Sequence, residues 1–436
     1  MKILNIIQKI KFIDLFAGLG GTRIGFEEAC KLLNIQTECV FTSEIQSDAI
    51  KIYNYNFPNS TINGDITKID PKTIPNFDIL LAGFPCQPFS TAGKRAGFLD
   101  IRGTLFFDIV RIIKDKKPKG FLLENVKGLV THDRTNKNDQ IGQTLTVILE
   151  TLERLGYNIN WEVLDADKFG VPQARKRIYI VGSLKSTVQL TNFHKSSQIF
   201  RDIKEVNLPI LKTFFTKQLL QFYTIDELAG KTINDKRGGP NNTHSWDIEL
   251  KGNLHQNQKD LLNILMLERR KKKWAKIKDI KWMDGIPLTL DEIYSFYPFK
   301  SKLELKIILE DLVEKGYLRF EHPKDLYQKG NKKMREYAFN KEKGYTIVSG
   351  KLSFEFTTIL DDNSVSKTIV ATEADRIGVI DNGGIRRMSE RECFRFFGFP
   401  DWYQSNIPHK KLYKLIGNTV VIPVITEVSK NLLKSL

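Results

Sequence analysis

Between residues 11 and 184, apolar runs of strand length alternate with stretches of helical periodicity, and this alternation restricts the fold most. Lys11 to Phe16, Cys39 to Thr42, Phe77 to Ala82 and Phe121 to Glu124 read as strands. Thr22 to Leu33, Gln46 to Tyr55, Thr104 to Lys114 and Gln143 to Leu155 read as helices. In the third of these, Leu105, Phe106, Ile109, Ile112 and Ile113 share one side. Strands that are apolar throughout belong to sheets covered on both faces. The pattern therefore predicts an α/β fold with a mostly parallel, doubly wound sheet. Asn158 to Leu164 and Arg177 to Gly182 could add a hairpin-like pair at its edge. Ligands of such sheets bind outside the carboxyl ends of the strands, and functional side chains are expected there.

Several residues fall at those ends. The strand Phe77 to Ala82 runs into Gly83-Phe84-Pro85-Cys86-Gln87-Pro88-Phe89-Ser90, where two prolines stop regular structure and stiffen the loop around Cys86. A thiol so placed suits a nucleophile; a small buried apolar residue fits equally. Asp14-Leu15-Phe16-Ala17-Gly18-Leu19-Gly20-Gly21 is a strand leading through glycines into a helix, which suits close approach to a nucleotide-like ligand. Glu44, ending the second strand, can accept from ribose hydroxyls; Asp65, in Gly64-Asp65-Ile66 after an expected further strand, can accept from an adenine amino group. Either acid alone also reads as a loop or capping residue. Glu124 closes its strand beside the expected position of Cys86, though a structural carboxylate paired with arginine reads the same way. In Gln173-Ala174-Arg175-Lys176-Arg177, extended backbone would put both arginines on one face, suited to a carbonyl, phosphate or carboxylate or to plain salt bridges. Near the end, Ser389 to Phe396 reads as a helix opened by a Ser389-x-x-Glu392 capping box, and Pro423 to Leu433 as a terminal helix.

Taken in order with Gly398-Phe399-Pro400-Asp401 and Ile416-Gly417-Asn418-Thr419-Val420, these segments resemble the ordered motifs of the DNA cytosine-5 methyltransferases. The resemblance covers residues 11–183 and about 366–436. It implies a Rossmann-like, S-adenosylmethionine-dependent methyltransferase fold carrying an inserted, smaller target-recognition domain. It implies that Cys86 attacks C6 of cytosine, that Glu124 assists at N3, and that Arg175 and Arg177 hold O2, a phosphate or Glu124. Unperturbed cysteine (pKa ~8.5) is mostly thiol at neutral pH, so the site must favour the thiolate or remove the proton during attack. Unperturbed glutamate (pKa ~4.3) is almost wholly ionised there, so its surroundings must favour the acid form. For the methyl donor, the resemblance implies Phe16 on the adenine ring, with Gly18, Gly20, Gly21, Glu44, Asp65, Ile66 and Pro85 around it. Asn418 would help hold the loop of Cys86, with Thr419 and Val420 reaching the donor. The product would be S-adenosylhomocysteine, and the chemistry requires no metal. Target cytosine would be flipped from the duplex, since C5 and C6 are not accessible from both faces in the stack.

The expected domains are residues 1–184 and 366–436, two parts of one catalytic domain, and the insertion 185–365. The insertion offers helices at Lys259 to Trp274 and Lys302 to Lys315, and a strand at Gly316 to Phe320. With a helix start at Thr289 these could form a winged-helix-like unit; a plain helical insertion fits the same pattern. The stretch Lys236 to His244 has a base-reading composition, or that of a polar loop. Net charge is +16, and between Lys251 and Tyr345 there are 22 Lys and Arg against 14 Asp and Glu, half of that excess. A basic balance so concentrated points to a polyanion, here double-stranded DNA, with salt-sensitive binding. No apolar run reaches the roughly 18 residues of a membrane span. The N-terminal stretch does not read as a signal peptide, and scattered Cys30, Cys39, Cys86 and Cys393 suggest neither zinc site nor disulfide framework. The expectation is a monomeric bacterial enzyme of the cytoplasm, nucleoid-associated when bound, with pairing to a restriction endonuclease left open. A tRNA-methylating relative and a non-catalytic DNA-binding regulator are the rival readings.

Overall fold

The computed structural model describes residues 9–85, 105–136, 138–236, 238–281, 285–329, 332–348 and 354–436. Contacts divide the chain into two compact units. The first comprises Met1–Glu205, Asp362–Asp375 and Met388–Leu436; the second comprises Val206–Asp361 and Arg376–Arg387. Residues 185–205 therefore group with the first unit, and 376–387 with the second. The reason is packing: the Phe200 ring stacks on Phe396 at 5.4 Å, whereas Ile377–Asp381 pairs with Thr358–Ile359.

The first unit is built on six strands: β1 (Lys9–Leu15), β2 (Gln36–Ser43), β3 (Ile79–Gly83), β4 (Gly120–Val126), β5 (Asn158–Asp165) and β7 (Lys176–Ser183). The short β6 (Gln173–Ala174) pairs instead with Ser366–Lys367. Strand order is β2-β1-β3-β4-β7-β5. The first four are parallel, and β7 runs antiparallel to both β4 and β5. The expected hairpin-like pair thus forms, with β5 as the edge and β7 inside the sheet. Ile79 to Ala82 and Phe121 to Leu123 are fully buried, as their unbroken apolar runs require.

Helices α1 (Gly21–Leu32), α2 (Ser47–Asn56), α3 (Leu105–Lys116), α4 (Gly128–Thr131) and α5 (Gln143–Arg154) connect the strands. In α3, Phe106, Ile109, Ile112 and Ile113 are buried, one stripe at helical spacing. The strand expected before Asp65 is absent: Ile62 makes a single bridge to Thr42, and Ile66–Lys68 is a 3-10 turn. Asn59 to Gly64 holds one apolar residue, too few to anchor a strand.

The last segment completes this unit. Ser389 caps Glu390–Arg395, accepting from Glu392 N at 3.0 Å while the Glu392 carboxylate accepts from Ser389 N at 2.8 Å. The terminal helix Ile422–Lys434 lies against α1 so closely that a Cβ on Gly25 would stand 2.7 Å from Ile425 Cβ. Tyr403 donates to the carbonyl of Leu19.

The second unit has two cores. One joins Phe215, Leu219, Ile233, Phe356 and Ile385 beneath a five-stranded sheet. The other surrounds Trp246, Leu261, Leu265, Leu305 and Leu309. The helix expected over Lys259 to Trp274 is two, Gln256–Glu268 and Lys272–Ile277, because the chain turns at Arg269 to Lys271. After Leu290–Phe296 and Lys302–Glu314 come the strand Leu318–Glu321, a ribbon of Lys324–Lys329 with Lys332–Tyr337, and the return strand Gly344–Ile347. That order is winged-helix-like. The stretch Lys236 to His244 is partly internal, since His244 is buried and stacks on Trp246 at 4.2 Å; Arg237 lies outside the described residues. Among the described residues, no helix is long and apolar enough to cross a membrane.

Candidate active site

A cavity of about 740 Å³ opens at the carboxyl ends of β1 to β4, a volume suited to one small ligand or cofactor. Cys86 lies outside the described residues; Gly83, Phe84 and Pro85, which lead to it, line this cavity. Gly83 pairs in register with Glu124, and a Cβ on Gly83 would sit 3.7 Å from Glu124 Oε2. The backbone entering the cysteine loop and the carboxyl group therefore share one spot. Asn125 fixes the same spot from below, its Nδ2 donating to the Phe84 carbonyl at 3.1 Å while its Oδ1 accepts from Val126 N at 2.8 Å. Both bonds are local to strand ends, and nothing in the sequence pattern distinguishes Asn125 from other polar residues after a strand.

Glu124 is buried, and burial pushes its carboxyl above the usual glutamate range against the pull of Arg177 and Arg175. Arg177 Nε stands 3.3 Å from Glu124 Oε1. Arg175 is engaged otherwise. Its Nη1 donates to Ile369 O at 3.1 Å, and its Nη2 to Gly417 O at 3.0 Å and Thr419 O at 2.9 Å. Its guanidinium lies over the Phe397 ring at 5.2 Å, and burial lowers it to about 9, still a cation at neutral pH. Gln173, fully buried, donates to Phe396 O at 3.1 Å and accepts from Ile369 N at 3.0 Å. Gln173 and Arg175 thus hold the last segment against β7, and Arg177 alone of the two arginines meets Glu124 in an ion pair.

The glycine turn is held from the second strand. Glu44 accepts from Gly18 N at 2.8 Å through Oε2, and from Ile45 N and Gln46 N at 2.7 and 2.8 Å through Oε1. Oε2 keeps a lone pair for a further donor. Phe16 lines the cavity with φ of +56°, a conformation rare for a bulky residue and held here by the surrounding turn. Asp65 accepts from Thr67 N and Oγ1 at 3.1 and 2.8 Å, capping its own turn at the cavity edge.

Phe16, Gly18, Glu44, Asp65 and Ile66 meet at this cavity, as do Pro85, Glu124, Arg175, Arg177 and Asn418. Gly20, Gly21, Thr419 and Val420 are not part of its lining. Gly20 has φ of +76°, and a Cβ on it would meet Phe57 at 2.7 Å. A Cβ on Gly21 would meet Val420 Cγ2 at 2.9 Å. Asp14, beneath the turn, is fully buried; Thr22 Oγ1 donates to its Oδ1 at 2.7 Å, Oδ2 has no partner among the described residues, and burial raises its pKa to about 7. The described cysteines offer no reactive thiol, since burial pushes Cys30 to about 12, Cys39 to about 11, and Cys393 well up.

Comparison with known proteins agrees with this geometry. The family model for C-5 cytosine-specific DNA methylase matches residues 10–434, and the chain belongs to that family. The Type II methyltransferase M.NlaIV of Neisseria lactamica is 54% identical, covering 99% of this chain and 100% of its own length. The Type II methyltransferase M.BanI of Aneurinibacillus aneurinilyticus is 40% identical, covering 98% and 96%. The solved structure of the Entamoeba histolytica methyltransferase EhMeth superposes with a TM-score of 0.51 over 98% of both chains at 17% identity, a likeness of fold.

Proposed function

We propose that this DNA cytosine-5 methyltransferase modifies one short duplex sequence as the protective half of a Type II restriction-modification system, with Cys86 as its nucleophile. The observation carrying the chemistry is the pairing of Gly83 with Glu124, which brings the start of the cysteine loop to a buried carboxyl group. The system assignment is supported by full-length relatives whose names are those of Type II methyltransferases.

S-adenosylmethionine fits the donor set of the cavity. Glu44 has a free lone pair for a ribose hydroxyl, Asp65 stands at the edge for an amino group, and the ring of Phe16 lines the wall. Asn418 stands on the same wall, with Pro85 where the cysteine loop begins. When bound, that cofactor supplies an electrophilic methyl group and leaves as S-adenosylhomocysteine.

This chain's residues do the rest. Cys86, as thiolate, adds to C6 of the flipped cytosine, and the ring electrons become available at C5. Glu124, kept acidic by burial, gives its proton or a hydrogen bond to N3 as charge develops there. Arg177 orients Glu124, and Arg175 positions the backbone around Asn418. C5 takes the methyl group, a base removes the C5 proton, and the electron pair returns to expel Cys86. The second unit supplies recognition of the duplex.

Bisulfite sequencing of plasmid from cells expressing the protein tests this reading. Protected cytosines within one short motif, lost with Cys86→Ala, are expected. Methylation of tRNA with untouched plasmid would overturn the substrate, and transfer persisting in Cys86→Ala would overturn the nucleophile.

A further inference from the structure

The glycine turn beside the cavity is a strained piece of backbone. Phe16, Gly18 and Gly20 all have left-handed φ, at +56°, +52° and +76°. A phenylalanine keeps that conformation only where its surroundings over-determine it. Three bonds come from the end of β2 and from the turn itself. Ser43 O accepts from Ala17 N at 3.0 Å, Glu44 from Gly18 N at 2.8 Å, and Ala17 O from Gly20 N at 2.7 Å. A fourth comes from Tyr403, 384 residues along the chain, whose hydroxyl donates to Leu19 O. The Leu19 carbonyl and the Gly20 N–H belong to one peptide unit, so that unit is tied at both ends.

Tyr403 is itself firmly placed. It is fully buried between exposed Trp402 and Gln404. Its ring packs on Phe399 at 4.6 Å and on Phe394 at 5.1 Å. Two helices fix its backbone. Arg391 Nη1, on Glu390–Arg395, donates to Pro400 O at 3.3 Å and to Tyr403 O at 3.0 Å. Asn56, the last residue of α2, brackets Gln404: its Nδ2 donates to Gln404 O at 2.8 Å, and its Oδ1 accepts from Gln404 N at 3.0 Å. Lys411 reaches Asp48 at the start of the same helix at 3.0 Å. Burial pushes the phenol up, so it stays a donor across the neutral range. A ring needed only to fill this core could be phenylalanine, as Phe394 and Phe399 beside it are.

We propose that Tyr403 is a positioning residue for methyl-donor binding, its hydroxyl locking the Leu19–Gly20 peptide so that Phe16 and Gly18 keep the conformation that lines the cavity. The proposal rests on the reading of that cavity as the S-adenosylmethionine site. Without the hydroxyl, a buried carbonyl loses its partner and the turn spends less time in its binding shape. Apparent affinity falls with that fraction, whereas the bound enzyme has its turn in place and reacts as before.

The test is calorimetry of the full chain with S-adenosylmethionine, beside thermal melts and methyl-transfer kinetics on plasmid. Tyr403→Phe should weaken binding roughly tenfold, ~1.4 kcal/mol, and raise the KM for the cofactor in step. Its kcat at saturating cofactor should be unchanged. Asn56→Asp keeps the acceptor for Gln404 N and loses the donor to Gln404 O. It should move affinity the same way by a smaller factor, and it decides if Tyr403→Phe does not fold. Unchanged affinity in a folded Tyr403→Phe would overturn the proposal. So would a drop in melting point and kcat with KM unmoved, the pattern of a bond that only holds the fold. A wild-type chain without affinity for S-adenosylmethionine would sink the cofactor reading together with this one; wild-type binding with unaltered variants sinks this one alone.

Discussion

Arg177 Nε lies 3.3 Å from Glu124 Oε1 across the antiparallel β4–β7 pair, inside a site where burial favours the acid form of Glu124. Desolvation opposes the charged carboxylate, and the guanidinium opposes the neutral acid. The balance keeps a proton on Glu124 to higher pH than an ordinary glutamate allows. Turnover needing that proton should fall as pH rises through the raised value. Glu124→Gln, always a donor but unable to give up a proton, should flatten that limb and lower kcat by ~10²-fold or more. A pH–kcat profile keeping its alkaline limb in Glu124→Gln would assign the limb elsewhere.

Asn125 predicts a split between chemistry and cofactor binding. Removing its bond to the Phe84 carbonyl should cost ~1–3 kcal/mol of loop order, or ~10–100-fold in kcat. Asn125→Ala and Asn125→Asp should behave alike, because a carboxylate cannot donate to a carbonyl. S-adenosylmethionine affinity, measured by calorimetry, should not move; a parallel loss of both would indicate general unfolding.

Arg175 predicts a stability effect that lysine does not repair. Three carbonyls, those of Ile369, Gly417 and Thr419, share its planar fork. Arg175→Ala should destabilise by ~3–5 kcal/mol, the scale for stripping a buried charged donor from its partners. Arg175→Lys should recover little, since one ammonium cannot span the three sites. Thermal melts would decide, and a wild-type melting point for either variant would refute the clamp.

Asp14 predicts a pH-dependent stability. Its folded pKa, about 7, stands above the unfolded value of 3.8. The stability it contributes is complete below the unfolded value and is lost as pH rises through about 7. At ~1.36 kcal/mol per unit the loss amounts to roughly 4 kcal/mol by pH 8. Asp14→Asn should remove that slope and be the more stable protein at pH 8. Urea midpoints across this range test it, and parallel curves for the two proteins would contradict the assignment.

Sequence carried the outline because β3 and β4 are unbroken apolar runs, and a sheet buried on both faces leaves little choice about them. The capping box of Ser389 and Glu392 was equally legible, being a contact three residues apart. What was not legible depends on distance along the chain. Gln173 and Arg175 read as a motif, yet the groups they hold are backbone carbonyls and an amide some 200 residues on, and backbone groups carry no sequence signal. Gly20 and Gly21 read as ligand contacts because glycine admits close approach, and in the fold the missing side chains also leave room for Phe57 and Val420. Asp65 lost its expected strand because one isoleucine cannot anchor six residues.

The clamp of Arg175 joins residues 242 positions apart in the chain. Closing so long a loop is slow relative to local contacts, and during synthesis it cannot begin until Gly417 has left the ribosome. The cavity wall that carries Asn418 thus forms only after the whole insertion has been made. A chain that stops short of Gly417 has the strands of its sheet and most of its motifs but lacks the residues of this wall.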